Sequence, residues 1–130
     1  MNVYVLDTHV LVWYLDNDTK LPKRIQKILD SEDAIFVIPT IVLAEIKYLF
    51  AKKRIGISFA KVIDALREDS RVRIHPFDFS CVELLNTEFD LHDGMIVATA
   101  ILFRDNFNKN TFLITKDEKI RKSGLIKTIW

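Results

Sequence analysis

The run Val3-Tyr4-Val5-Leu6 is apolar from end to end, and it ends abruptly in Asp7. A strand with one face in water alternates apolar and polar residues. A short strand without polar positions is buried on both faces, as in a parallel sheet covered by helices. Ala34–Ile38, closed by Pro39, reads as a second strand, Arg71–Ile74 as a third ending at His75-Pro76, and Thr111–Thr115 as a strong fourth. Lys127–Trp130 reads as a last one.

The segments between these runs have a different period. Leu21, Ile25, Ile28 and Leu29 recur at helical spacing within a helix from Pro22 to about Ser31. Phe59, Val62, Ile63 and Leu66 do the same within Ser58–Glu68. Further helices are expected over His9–Leu15, from Thr40 (as N-cap) to about Lys53, over Ser80–Phe89, over Asp93–Asp105, and from Asp117 to Lys122. Strands alternating with helices demand crossover connections. The fold class is therefore α/β, with a mainly parallel sheet covered on both sides.

At 130 residues and 49% apolar, the chain can bury a real core as one domain spanning 1–130. No apolar run reaches the roughly 18–20 residues that span a bilayer. The longest, Met95–Phe103, reads as a buried helix. No basic segment precedes an apolar one at the N-terminus, so the expected location is the cytoplasm, without a membrane partner. Cys81 is the only cysteine, which excludes an internal disulfide and a cysteine-rich zinc site and makes it a small buried hydrophobe. With a net charge of +1, affinity for nucleic acid must come from local basic patches.

Four acids stand out by placement. Asp7 and Asp117 follow strands and precede helices, so in a parallel sheet both carboxylates reach one edge, where open α/β sheets bind ligands. Asp93 opens the apolar stretch from Met95. Each of these three reads equally as a helix N-cap. Glu45 does not. Its helical neighbours at three and four residues are Ile41, Val42, Tyr48 and Leu49, all apolar. A carboxylate there demands a cation, either a Lys or Arg from another helix or a metal ion. Clustered carboxylates raise one another's pKa, and an all-oxygen donor set suits Mg²⁺ or Mn²⁺ rather than Zn²⁺. Mg²⁺ commonly completes its shell with substrate phosphate, so the cluster points to phosphoryl or phosphodiester chemistry.

The pieces Val3–Trp13, Ala44-Glu45-Ile46, Asp93–Ala100 and Leu113–Asp117 together resemble the PIN domain, and most closely its VapC-type toxins from toxin–antitoxin pairs. The resemblance spans essentially the whole chain, in order. It implies a three-layer α/β/α sandwich and a Mg²⁺- or Mn²⁺-dependent endoribonuclease. It also implies that Asp7, Glu45, Asp93 and Asp117 carry the metal and the catalysis, with Thr115 supporting the site. Thr8 either orients the loop after Asp7 or simply starts a helix. RNA is then the substrate, and a cognate antitoxin and a second copy of the chain are the protein partners. Many relatives carry Arg or Ala where this chain has Gly94, which leaves the backbone at Asp93 looser. Asp90 is an auxiliary acid or, more simply, a solvated loop residue.

The remaining polar residues read more plainly. His9, His75 and His92 lack metal-ligand spacing, and His92 reads as an exposed loop residue. Lys47, Lys52, Lys53 and Arg54 form one basic group, and Lys116, Lys119, Arg121 and Lys122 another. Each is either a solvated helix end or a phosphate-contacting patch, with Lys47 and Lys116 the candidates for substrate. Trp13, Tyr14, Tyr48, Phe50 and Phe59 read as core before base-stacking. The competing reading is a non-catalytic RNA- or protein-binding PIN fold, or a receiver-like module. A receiver, however, wants adjacent acids after its first strand, and Asp7 is followed by Thr8.

Overall fold

Five strands form one parallel sheet in the computed structural model, which describes residues 1–130. They are β1 (Asn2–Leu6), β2 (Ala34–Pro39), β3 (Val72–His75), β4 (Thr111–Ile114) and β5 (Thr128–Ile129), in the order β3-β2-β1-β4-β5. Seven helices connect them: α1 (Thr8–Leu15), α2 (Lys23–Leu29), α3 (Thr40–Ala51), α4 (Phe59–Glu68), α5 (Phe79–Glu83), α6 (Leu91–Ile101) and α7 (Glu118–Ser123).

The apolar runs occupy the centre. Val5 pairs with Val37 on one side and with Leu113 on the other, and none of the three exposes any surface. Each such side chain contributes about 1.5–3 kcal/mol of burial, enough to fix a register in which a one-residue slip would turn every side chain over. From β1 the chain steps outward to β2 and β3, then returns past β1 to β4 and β5. The direction reverses between β1 and β4. Such a reversal opens a crevice beyond the carboxyl ends of the two strands, because their connections leave in opposite directions.

Boundaries differ from expectation where local hydrogen bonds intervene. Thr40 is not the cap of α3. Pro39 holds that position, and Thr40 Oγ1 instead accepts from the Phe77 amide at 3.2 Å. The helix ends at Ala51, and Lys53 sits at φ 59° just beyond it. The helix expected over Ser80–Phe89 is only Phe79–Glu83, since Asn86 Oδ1 accepts from the Glu88 amide at 2.8 Å and closes a turn. The helix expected over Asp93–Asp105 starts at Leu91 with Asp90 at its cap position, then widens into a π-helical turn over Leu102–Asn106. The last strand is two residues, not four.

One cross-link was not legible in the sequence. Arg71 pairs with both oxygens of Asp69, at 2.9 and 2.7 Å, and donates to the carbonyls of Leu29 and Ser31 at 2.8 and 2.7 Å. It ties the end of α2 to the start of β3. No helix is long and apolar enough to cross a membrane.

Candidate active site at the sheet's carboxyl edge

Asp7 is the first residue after β1. As N-cap of α1, its Oδ1 accepts the Thr8 amide at 2.7 Å. Its Oδ2 accepts the Thr115 hydroxyl at 2.6 Å. That hydroxyl accepts in turn from the Asp117 amide at 3.1 Å, and Asp117 Oδ1 caps α7 through the Ile120 amide at 2.9 Å. Thr115 is fully buried, so it clasps two strand ends across the switch point. A carboxylate has about four acceptor sites and capping uses one, so cap and ligand are compatible roles.

Glu45 is less deeply set than its sequence neighbours suggested. The buried face of α3 is Val42, Leu43 and Ile46, while Tyr48 is 55% exposed. Glu45 lies at the margin of that face, and its cation is neither Lys nor Arg. His92 Nε2 sits 3.0 Å from Glu45 Oε1 and 3.3 Å from Thr8 Oγ1. Burial pushes the Glu45 carboxyl up, but hydrogen bonds from His92 and Thr8 and the nearby imidazoles outweigh it and hold the group below its ordinary value. The same hydrogen bond raises the His92 imidazole, against the opposing effect of its burial. His92 is thus not an exposed loop residue. It stands in the first turn of α6, partly buried and tied to the site.

Asp93 is not a helix cap either. It occupies the first turn of α6, where the helix N-terminus favours negative charge. Burial pushes its carboxyl up, and Asp117 and Asp7 push it further. Asp93 therefore lies close enough to both to feel their charge. Gly94, next to it, is buried, and a Cβ there would meet the Asn86 carbonyl oxygen and Leu85 Cδ1, each at 3.0 Å. Close approach of the chain from α5 requires the glycine, which fixes α6 rather than loosening it. Asp90 is exposed and outside the group.

Asp7, Glu45, Asp93 and Asp117 line one cleft of about 400 Å³, together with His9, Val10, Trp13, His92 and Lys116. Thr8 and Thr115 lie beneath it, fully buried. Lys47 is not among the lining residues; its ammonium lies 5.2 Å from the Phe59 ring centroid instead. With Asp90 at the cap position of α6, His92 falls in the first turn of that helix. Nothing in the local sequence pointed to His9 or Trp13.

The donor set fits a hard divalent cation, being all oxygen, and the raised Asp93 carboxyl marks a charge excess that a cation would relieve. The one group of His, Cys, Asp or Glu whose potential donor atoms lie within 4.8 Å of one another is elsewhere, at His75, Asp78 and Cys81. There Asp78 caps α5 through the Cys81 amide, and burial pushes the Cys81 thiol up, away from the thiolate a metal needs.

Residues 4–124 match the PIN domain family model. Similar solved structures include VapBC2 from Rickettsia felis bound to a DNA fragment from its promoter, at 23% identity and TM-score 0.68, covering 98% of this chain and 97% of that one. A toxin–antitoxin complex from Klebsiella pneumoniae is similar at 18% identity and TM-score 0.67, covering 98% and 96%. VapBC-1 from nontypeable Haemophilus influenzae is similar at 19% identity and TM-score 0.66, with the same coverage. At these identities the likeness is one of fold. No curated protein matches the chain.

Proposed function

The chain belongs to the PIN domain family, whose members are generally nucleases, and from that premise we propose that it is a Mg²⁺- or Mn²⁺-dependent endoribonuclease. The observation that carries the reading is the gathering of Asp7, Glu45, Asp93 and Asp117 from four separate segments into one cleft. Those four residues would hold the metal. When bound, a divalent cation would lower the pKa of a water it holds and offset charge at the phosphate.

The chain's own residues have distinct tasks. Thr115 and the Thr8 amide fix the two oxygens of Asp7, leaving their remaining lone pairs directed by covalent geometry rather than by chance. His92 holds Glu45 ionised and in place. Lys116, at the cleft wall, offers a cation to an incoming phosphate that the acids alone would repel. No side-chain nucleophile is needed, and the cleft holds no Ser, Thr hydroxyl or Cys on its lining.

The cellular role we infer is that of a toxin, acting in the cytoplasm and restrained by a cognate antitoxin. This is supported by the fold likeness to proteins described as toxin–antitoxin complexes. Exposed Tyr48 and Phe50 on α3 offer apolar surface for that partner or for a second copy in a homodimer. The alternative of a PIN fold reduced to binding is disfavoured by the intact set of four acids.

Cleavage of a defined RNA panel with Mg²⁺, Mn²⁺ or EDTA tests the proposal, with Asp7→Asn and Glu45→Gln alongside. Asn caps a helix as well as Asp does, so Asp7→Asn keeps the fold. Cleavage is expected to vanish in EDTA and in Asp7→Asn. Full activity in either condition refutes the mechanism.

A further inference from the structure

We propose that Trp13 is a stacking platform for one nucleobase of the RNA strand beside the cleaved bond, with Lys116 and Lys20 gripping the phosphates that flank it. This rests on the reading above that the cleft cuts RNA. Val10, Leu11 and Val12 are buried, but Trp13, next on α1, is only partly so. Trp13 packs in part against the core, yet it is among the residues lining the acid-lined cleft and also a second hollow of about 180 Å³, lined by Asn17, Asp18 and Lys23 among others. One aromatic side chain therefore stands between two open recesses.

The surroundings of the ring suit a polyanion carrying bases. Lys116 Nζ lies 5.7 Å from the indole centroid and Lys20 Nζ 5.9 Å from it. Lys20 is highly exposed and also pairs with Asp18 at 3.9 Å. Cation–π contacts at exposed sites are weak, so both lysines can yield the ring face to a base and turn to its phosphates. Meanwhile His9 and Trp130 brace the indole, with ring centroids at 5.7 and 6.0 Å.

The chemistry of the cleft calls for such a grip. A metal would offset the four carboxylates at the cleaved phosphate only, and the whole chain, with a net charge of +1, adds little attraction for the rest of the strand. Attraction independent of charge is then needed to hold a strand in register. Stacking on an aromatic face supplies it for any base. The subsite consequently selects for the presence of a base at one position, not for its identity.

An oligoribonucleotide series tests this, each member carrying one abasic ribose at successive positions around the cleaved bond. With the wild-type protein, a single abasic position is expected to raise KM about tenfold while kcat changes little, as loss of one base–aromatic stack requires. In Trp13→Leu, which keeps an apolar side chain but no ring, KM on intact RNA rises by the same factor and the abasic penalty disappears. Trp13→Phe restores most of both. Thermal melts of the variants separate loss of stacking from loss of packing. A flat abasic profile for a cleaving wild-type protein overturns the stacking assignment alone. Absence of RNA binding by the wild-type protein, read by fluorescence anisotropy with Ca²⁺ in place of Mg²⁺, overturns this assignment and the ribonuclease reading together.

Discussion

Thr115 donates its hydroxyl to Asp7 Oδ2 at 2.6 Å across 108 residues of sequence, and Thr115 Oγ1 in turn accepts the Asp117 amide at 3.1 Å. A single buried hydroxyl thereby sets the spacing between the acids at the ends of β1 and β4, on either side of the sheet's reversal point.

Thr115→Val, close in shape but without the hydroxyl, is expected to weaken Mn²⁺ binding and cleavage about 10–100-fold, the range typical for residues that orient metal ligands. It also leaves a half-buried carboxylate oxygen and a half-buried amide without their partner, at about 1 kcal/mol in urea denaturation measured in EDTA. Thr115→Ser should restore most of both. Equal loss in Ser and Val would show that the methyl, not the hydroxyl, matters.

The pair His92–Glu45 predicts a titration. With metal removed, the His92 imidazole should titrate above the ordinary histidine value, because Glu45 accepts its hydrogen bond and adds negative charge. In Glu45→Gln the titration should move back down, since the charge goes while burial still favours the neutral ring. NMR of the imidazole nitrogens reads both values; an unmoved His92 would mean that the pair does not form in solution.

Gly94→Ala should lower the melting temperature even though alanine is the better helix former by about 1 kcal/mol. The added methyl meets the Asn86 carbonyl and Leu85 at 3.0 Å, and a backbone oxygen cannot step aside as a side-chain tip can. A stabilised variant would show that α5 and α6 pack less tightly than this contact implies.

Stability should fall in acid through Asp69. Hydrogen bonds from Arg71 hold its carboxyl below the ordinary value, against the opposing effect of burial. A carboxyl lowered on folding stabilises the protein above its unfolded pKa of about 3.9 and loses that contribution as pH drops through the folded value. The gap in denaturation midpoint between wild type and Asp69→Asn should therefore be present at pH 6 and shrink below about pH 4. A gap independent of pH would assign the effect to geometry rather than charge.

Much of this was written locally. Val3–Leu6 could only be a strand buried on both faces, and an acid directly after it had to emerge at the sheet's edge. Asp117 followed by the same rule. Those inferences need only the strand period and the sharing of direction among parallel strands, so they survive without coordinates. The helix-cap reading and the site reading of Asp7 looked like rivals, but the observed cap is compatible with a site role, because capping leaves most of a carboxylate's acceptor sites free.

What the sequence alone determined is the α/β alternation and the emergence of Asp7 and Asp117 at one edge of the sheet, because strand and helix periods and chain direction act over a few residues. Tertiary structure alone decided the rest. It showed that Glu45 answers to His92 rather than to Lys or Arg, that Lys47 lies away from the cleft while Lys116 and Trp13 line it, and that Gly94 is demanded by an approaching carbonyl. Each of these is a meeting of side chains from elements set side by side by the crossovers. No local period encodes such a meeting, since it depends on the order in which the strands join the sheet.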